Sequence, residues 1–498
     1  AGDVELLSNA PDAFTPQFDP NLGPLMPPSQ LDAALAQASY TVNQLHDWFY
    51  VAGFDEQAGN GQQNNFGRGG LDGDAPLIEI HDFSGRNNAN MATPSDGGTP
   101  RLQVMPWNSR QIASLSHISS NEEWPVVAAE FGRTAFTLQD SVSLPSSEED
   151  GCAPFPLSQA SIVLLRPVTS CSTIDQARHA AQAGASAVLF DTTAETGYPS
   201  LTDDGAGDPD IAVLGLRKAD GEALRQRIAG QSAEVAMSLQ TLPEPVAAMD
   251  ATLIAHEYGH FISNRLIADG TGLTNLQGRS LGEGWADFHA LLWLTQAADA
   301  QVASNADFSG SYAVMTYAAG GMQPAYSRDA AYFGIRRFPY STDPVRNPLR
   351  FRHIIRGEAL PEFAPRSPQA LSSDNAQVHN AGEVWASMLW DCYAALLRDT
   401  QVPMPRRDFN ATQRQMTEYL LGAYSLTPPQ PTYMEARDAL LAVIAASDAR
   451  DLQLCGTAFA QRGAGLRAQA ARRDTLSNIG AIESDADGGD LEIADISL

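Results

Sequence analysis

Residues 256–260 read His256-Glu257-Tyr258-Gly259-His260 inside an apolar run. In a helix, positions i and i+4 lie on one face, so both imidazoles can reach a single metal ion. Glu257 then stands beside that metal, where a general base for a bound water is needed. No other stretch constrains the fold as strongly. It commits 249–268 to a helix and requires the rest of the chain to bring a third ligand to that helix, because a catalytic zinc takes three protein ligands and leaves one position for water.

A third ligand is close by. The Gly- and Asn-containing stretch 269–282 reads as a loop, and EGWADFHALLWL, from Glu283 onward, reads as a second helix. Glu283 would complete a set of two imidazoles and one carboxylate. Asp287, four residues on and on the same face, can accept the free ring N–H of a metal-bound histidine and fix its tautomer. A lone E-x-x-x-D is ordinarily a solvated helix face, but directly behind the histidine pair the ligand reading prevails. A further cluster, Val378-His379-Asn380-Ala381-Gly382-Glu383, places His379 at the mouth of a third helix. There it can donate to the oxyanion that forms when water attacks a peptide carbonyl.

Taken together, HEYGHFISNRL (256–266), GEGWADF (282–288) and VHNAGEVWA (378–386) resemble the diagnostic blocks of the fungalysin family of secreted zinc metalloendopeptidases. The segments 40–70, NNANMATPSDG (87–97), GIRRFPYSTD (334–343) and PTYMEARDAL (431–440) resemble further blocks in the family's order. The resemblance implies an α+β fold, a two-lobed thermolysin-like zincin with a mixed α/β lobe and a helical lobe. It implies one catalytic zinc on His256, His260 and Glu283, Glu257 as general base, His379 as oxyanion stabiliser and Asp287 as the group orienting a zinc-bound histidine. It further implies that Arg336 holds a substrate carbonyl, and that Asn88, Ala89 and Asn90 line an edge strand to which an extended substrate adds by main-chain hydrogen bonds. A signal peptide and an inhibitory propeptide, already removed, are expected upstream, making the enzyme a secreted zymogen product. Two departures stand out. Phe261 follows the second histidine where the family carries Gly, and Pro429 occupies a position where fungal members carry Cys, leaving Cys455 without its expected partner.

Composition narrows the partners. The formal charge is −28 over 498 residues, with Lys218 the one lysine. Such an acidic chain is a poor ligand for nucleic acid or an anionic membrane. No run of about 18 apolar residues provides a membrane span. A protein or peptide substrate and a monomeric state are expected. Of four cysteines, Cys152 and Cys171 are close enough in sequence to pair, as suits an oxidising compartment. Cys392 and Cys455 are either a second bridge or two buried thiols.

The length allows two or three domains. Between Trp107 and Ala247, short apolar runs (124–131, 160–167, 185–192, 211–218, 233–239) alternate with helical ones (173–185, 220–230), the pattern of a separate small α/β domain. Its SIVLLRPVTSCSTIDQARHAAQAGASAVLFDTT string resembles a protease-associated (PA) domain, including the Cys152–Cys171 pair. The expected layout is 1–110 as the first part of the catalytic domain, 111–245 as the insertion, 246–473 as zinc helix and helical lobe, and 474–498 as an acidic tail. The insertion reads either as an appendage that binds substrate or partner, or as a passive insert. Asp485, Asp487 and Asp490 in the tail, and Asp72 and Asp74 in LDGDAP, could bind calcium, against the plainer reading of solvated acidic segments. Two rivals to the endopeptidase remain: an aminopeptidase, for which no acidic anchor for a free amine is visible, and a non-catalytic binding protein, which would have been free to lose Glu257 and His379.

Overall fold

A computed structural model describes residues 16–145, 150–157, 161–194, 197–203, 205, 207–230, 233–322, 330–367 and 372–487. The chain divides into two compact units: one of Ala1–Trp107, Val246–Ala319 and Asp329–Leu498, the other of Asn108–Pro245 with Gly320–Arg328.

The first unit begins with helix α1 (Ser29–Val51), followed by strands β1 (Leu77–Ile80), β2 (Ala89–Ala92) and β3 (Arg101–Val104). They form a three-stranded sheet of order β1-β3-β2, with β1 parallel and β2 antiparallel to β3. The strand carrying Ala89 and Asn90 is thus at a sheet edge, with Asn88 just before it.

The second unit holds an eight-stranded sheet: β4 (Gln111–His117), β5 (Glu122–Trp124), β6 (Val126–Ala128), β7 (Phe136–Ser143), β8 (Ile162–Leu165), β9 (Ala187–Phe190), β10 (Ala212–Leu216) and β11 (Ala233–Thr241), in the order β5-β4-β11-β7-β8-β9-β10-β6. The central strands β7 to β10 are parallel. Those covered on both faces read as unbroken apolar runs, IVLL, AVLF and AVLGL. Alternate residues serve opposite faces. Ile162 and Leu164 join Leu224 of helix α3 (Lys218–Gly230), while Val163 and Leu165 join Ile174 and Ala177 of α2 (Thr173–Gln182). Asp191, just past β9 and fully buried, is held by Arg166 and Arg225 at 2.7–3.2 Å. A Cys152–Cys171 bridge is present. The runs at 124–131, 160–167, 185–192, 211–218 and 233–239 all contain strands; β4 and β7 escaped notice because their half-exposed, polar-alternating text carries no apolar run.

The first unit then resumes with α4 (Ala251–Leu266), α5 (Leu276–Leu294), the short α6 (Ala330–Phe333), α7 (Val378–Asp399), α8 (Phe409–Leu426), α9 (Tyr433–Ser447) and α10 (Ala449–Gln461). Side-chain caps start most of them: Asp250 on α4, Asn275 on α5, Asp408 on α8, Thr432 on α9 and Asp448 on α10. The expected loop at 269–282 is therefore half helix. Asn275 accepts from Gly278 N at 3.1 Å and starts α5 seven residues before Glu283. Two other glycines are packing residues at helix crossings. A Cβ on Gly284 would stand 2.4 Å from the carbonyl oxygen of Gly382 in α7, and one on Gly259 would stand 2.9 Å from the Ala286 Cα in α5. Helix α5 is thus clamped between α4 and α7 at backbone contact. Trp285 and Trp385, almost fully buried, seal the second crossing edge-to-face at 5.9 Å. Each such indole contributes roughly 4–6 kcal/mol of burial at ~25 cal/mol per Å².

Phe261 fills space behind α4, packing on Phe54 and Tyr258 and beneath the guanidinium of Arg265. Cys392 of α7 bridges to Cys455 of α10, so the open choice between bridge and thiols falls to the bridge. Helix α10 itself was not expected. The segment 474–487 is not a free tail: Gln469 pairs with Ile482, Ala464 with Ser484, and Glu483 binds Arg350 and Arg352. Glu483 and Asp485 thus meet arginines that are distant in sequence.

The α5–α7 contact yields a test. Gly284→Ala gains about 1 kcal/mol of helix propensity, but the backbone carbonyl of Gly382 cannot move aside, and overpacking of this kind costs about 1–3 kcal/mol. Net destabilisation is expected in denaturant unfolding followed by tryptophan fluorescence; a stabilised variant would contradict the packing argument.

Candidate metal and catalytic site

Helix α4 delivers His256 and His260 to one face, and α5 delivers Glu283 opposite them. The ring nitrogens His256 Nε2 and His260 Nε2 are 3.1 Å apart, and Glu283 Oε2 lies 3.6 Å from the first and 3.8 Å from the second. Among the described residues this is the one group of three or more His, Cys, Asp or Glu side chains whose donor atoms lie close enough to share a metal. The two Nε2 atoms face each other, and Glu283 Oε2 beside them is buried without a hydrogen-bond partner. Such a donor set fits a divalent cation.

Around this trio lies a second layer. Asp287, fully buried, accepts from His256 Nδ1 at 2.8 Å, so His256 presents Nε2 to the centre. The same carboxylate takes both prongs of Arg336, at 2.6 and 2.8 Å, and the hydroxyl of Tyr340. The neighbouring Arg337 turns the other way, to Glu383 of α7 at 2.7 Å. Consecutive arginines therefore pin one loop to two helices. Gly334 begins that loop at φ 59°, with a hypothetical Cβ 2.1 Å from Val314 O, so only glycine fits there.

The electrostatics follow from this crowding. Burial resists charge on His256, yet the bond to Asp287 and the nearby Glu283 carboxylate outweigh burial and hold its pKa up to about 9. Burial carries His260 down to about 4. Burial likewise opposes ionisation of Asp287, but Arg336 and His256 prevail and keep it a carboxylate well below its usual range. Glu283, similarly, is kept ionised by the imidazoles of His260 and His256. Two buried carboxylates, Glu283 and Asp287, thus call for positive charge beside the converging imidazole nitrogens; a divalent cation would supply it and leave both rings neutral as ligands.

Glu257 points into the same space. Burial pushes it up to about 7, with the neighbouring Glu283 adding to the effect and His256 opposing it, and its Oε2 has no hydrogen-bond partner. His379, in the first turn of α7, has Nε2 3.4 Å from Glu283 Oε2. These residues line a cleft of roughly 590 Å³ with Asn88, Ala89, Asn90, Met315 and Arg336. All ten residues singled out in the sequence for metal, catalysis or substrate border this one cleft or, for Asp287, lie directly behind it.

Arg336 is near-fully buried and committed to Asp287, so its first duty is to that carboxylate. Tyr340 is not marked by the sequence. Tyr340 lies in a block already singled out, but its partner is 53 residues away and no local pattern marks it. The calcium candidates stand apart. Asp74 is buried against Arg265 at 3.2 Å, Asp72 is exposed, Asp485 pairs with Arg350, Asp487 accepts from Thr457, and Asp490 lies outside the described residues.

Asp287→Asn keeps the shape but leaves Arg336 and His256 without their anion. Metal affinity, measured by competition with a chelator, is expected to fall about 10–100-fold; an unchanged affinity would show that Asp287 does not order the ligand.

Comparison with known proteins gives the chain its relatives. The chain is 23% identical to Extracellular metalloproteinase 3 of Trichophyton soudanense over 93% of its own length and 79% of that protein's. It is 24% identical to Extracellular metalloproteinase mep of Aspergillus fumigatus, over 91% of this chain and 47% of that one. It thus spans about half of the Aspergillus relative. A solved zinc aminopeptidase from Bacillus subtilis is similar over 39% of this chain and 54% of its own at 14% identity, with a TM-score of 0.22, too low to bear on the fold. The family model of the fungalysin metallopeptidases (M36) matches residues 5–468, and the chain belongs to that family.

Proposed function

We propose that this chain is an extracellular zinc endopeptidase that hydrolyses internal peptide bonds of proteins. The observation carrying the reading is the convergence of His256, His260 and Glu283 beside a buried Glu257 whose carboxylate oxygen is unpaired. The relatives are extracellular metalloproteinases by name, which supports the location and the chemistry.

His256, His260 and Glu283 would hold the zinc. When bound, it acts as a Lewis acid toward the scissile carbonyl and lowers the pKa of its water. Glu257 takes the proton from the attacking water and returns it to the leaving amine, work suited to a carboxyl raised toward neutrality. His379 donates from Nε2 to the oxygen that gains charge. Asp287, with Arg336 and Tyr340 behind it, holds His256 in the tautomer that coordinates. Asn88, Ala89 and Asn90 pair with an extended substrate along the sheet edge, and Arg336 reaches a substrate carbonyl with whatever donor Asp287 leaves free. We read the first unit as a two-lobed zincin and the second as a protease-associated insertion, either an appendage that binds substrate or partner or a passive insert.

Glu257→Gln is expected to retain one zinc per chain while kcat falls about 10²–10⁴-fold, assayed on casein and on a peptide blocked at both ends. Wild-type turnover by this variant would remove Glu257 from the base role. Failure of the wild-type enzyme on the blocked peptide, with cleavage of the unblocked one, would make it an exopeptidase.

A further inference from the structure

We propose that Gln377 is a positioning residue that holds His379 as a neutral imidazole with its proton on Nε2, the nitrogen facing the cleft. Gln377 is the N-cap of α7, and its side chain makes three hydrogen bonds. Its Oε1 accepts from the backbone N–H of His379 at 2.8 Å and of Asn380 at 3.1 Å. Both partners are donors, so the oxygen must be the atom facing them. The amide nitrogen is left facing His379 Nδ1, 2.6 Å away. An amide N–H can only donate, so Nδ1 must accept and carry no proton. In a neutral ring the proton then sits on Nε2, whose neighbour is Glu283 Oε2 at 3.4 Å.

The residue type matters. A carboxylate at 377 could cap the helix equally well, but toward the ring it could only accept. It would draw the proton to Nδ1 and leave Nε2 bare unless the imidazole became charged. The glutamine amide makes Nε2 a donor with no positive charge required. One side chain thus closes the helix end and sets the tautomer of the residue two positions on.

The consequence for turnover rests on the donor role given to His379 above; the tautomer itself does not. The test uses the full chain labelled with ¹⁵N-histidine, with the His379 signals assigned through a His379→Gln variant. Long-range ¹H–¹⁵N spectra of the wild type are expected to show Nδ1 unprotonated and Nε2 protonated. Gln377→Glu is expected to move the proton to Nδ1, and to lower kcat about a hundredfold with KM nearly unchanged. Gln377→Asn keeps a good helix cap but is one methylene too short for the ring; it is expected to leave the ring as a mixture of tautomers, with kcat between the other two. A proton on Nδ1 in the wild type, or a wild-type tautomer in both variants, would overturn the proposal. A shifted tautomer with unchanged kcat would uphold Gln377 and overturn instead the donor role of His379.

Discussion

Asp287 is the interaction on which the site depends. It is a buried carboxylate with His256 on one side, the two prongs of Arg336 on the other and the Tyr340 hydroxyl completing its shell. Removing one member of a buried ion pair leaves the other uncompensated, at about 3–5 kcal/mol. The carboxylate therefore does two things at once. It fixes the ring that presents Nε2 to the metal position, and it tethers the 334–340 loop to α5. The arrangement requires α4 and α5 to approach to backbone contact, which Gly259 allows, and α5 and α7 to do the same, which Gly284 and Gly382 allow. The glycine between the two histidines is a packing requirement of the α4–α5 crossing, at the expense of about 1 kcal/mol of helix propensity.

Much of this was legible in the sequence because the chemistry is local on each helix. The spacing of His256 and His260, and of Glu283 and Asp287, puts each pair on one helical face, and only the meeting of the two faces needed three dimensions. The zinc helix, α7, α8 and α9 were read within a few residues because capping residues and apolar periodicity agree there. The start of α5 was misplaced because glycine is ambiguous in text: Gly278 and Gly282 read as loop punctuation, yet both lie inside α5 after the Asn275 cap. Helix α10 was lost for a related reason, since it follows α9 with only Asp448 between them, and Asp448 both ends one helix and caps the next.

What the sequence could not show is pairing across distance. The Cys392–Cys455 bridge spans 63 residues, and the binding of Glu483 by Arg350 crosses more than a hundred. An acidic segment looks solvated until its arginines are known. Arg336 and Arg337, adjacent in text, serve different helices, and nothing in the dipeptide assigns one to Asp287 and the other to Glu383. Gln377 is the same case on a small scale: a glutamine before a helix is an unremarkable residue until its three hydrogen bonds are counted.

The central claim is that His256, His260 and Glu283 hold one metal ion. X-ray absorption at the zinc edge of the loaded full chain tests it most directly, alongside a His260→Ala variant. The account predicts one zinc per chain with two imidazole nitrogens, remaining ligands oxygen and no sulfur, and loss of one imidazole in the variant. A shell lacking two imidazoles, or an identical spectrum after His260 is removed, would contradict it.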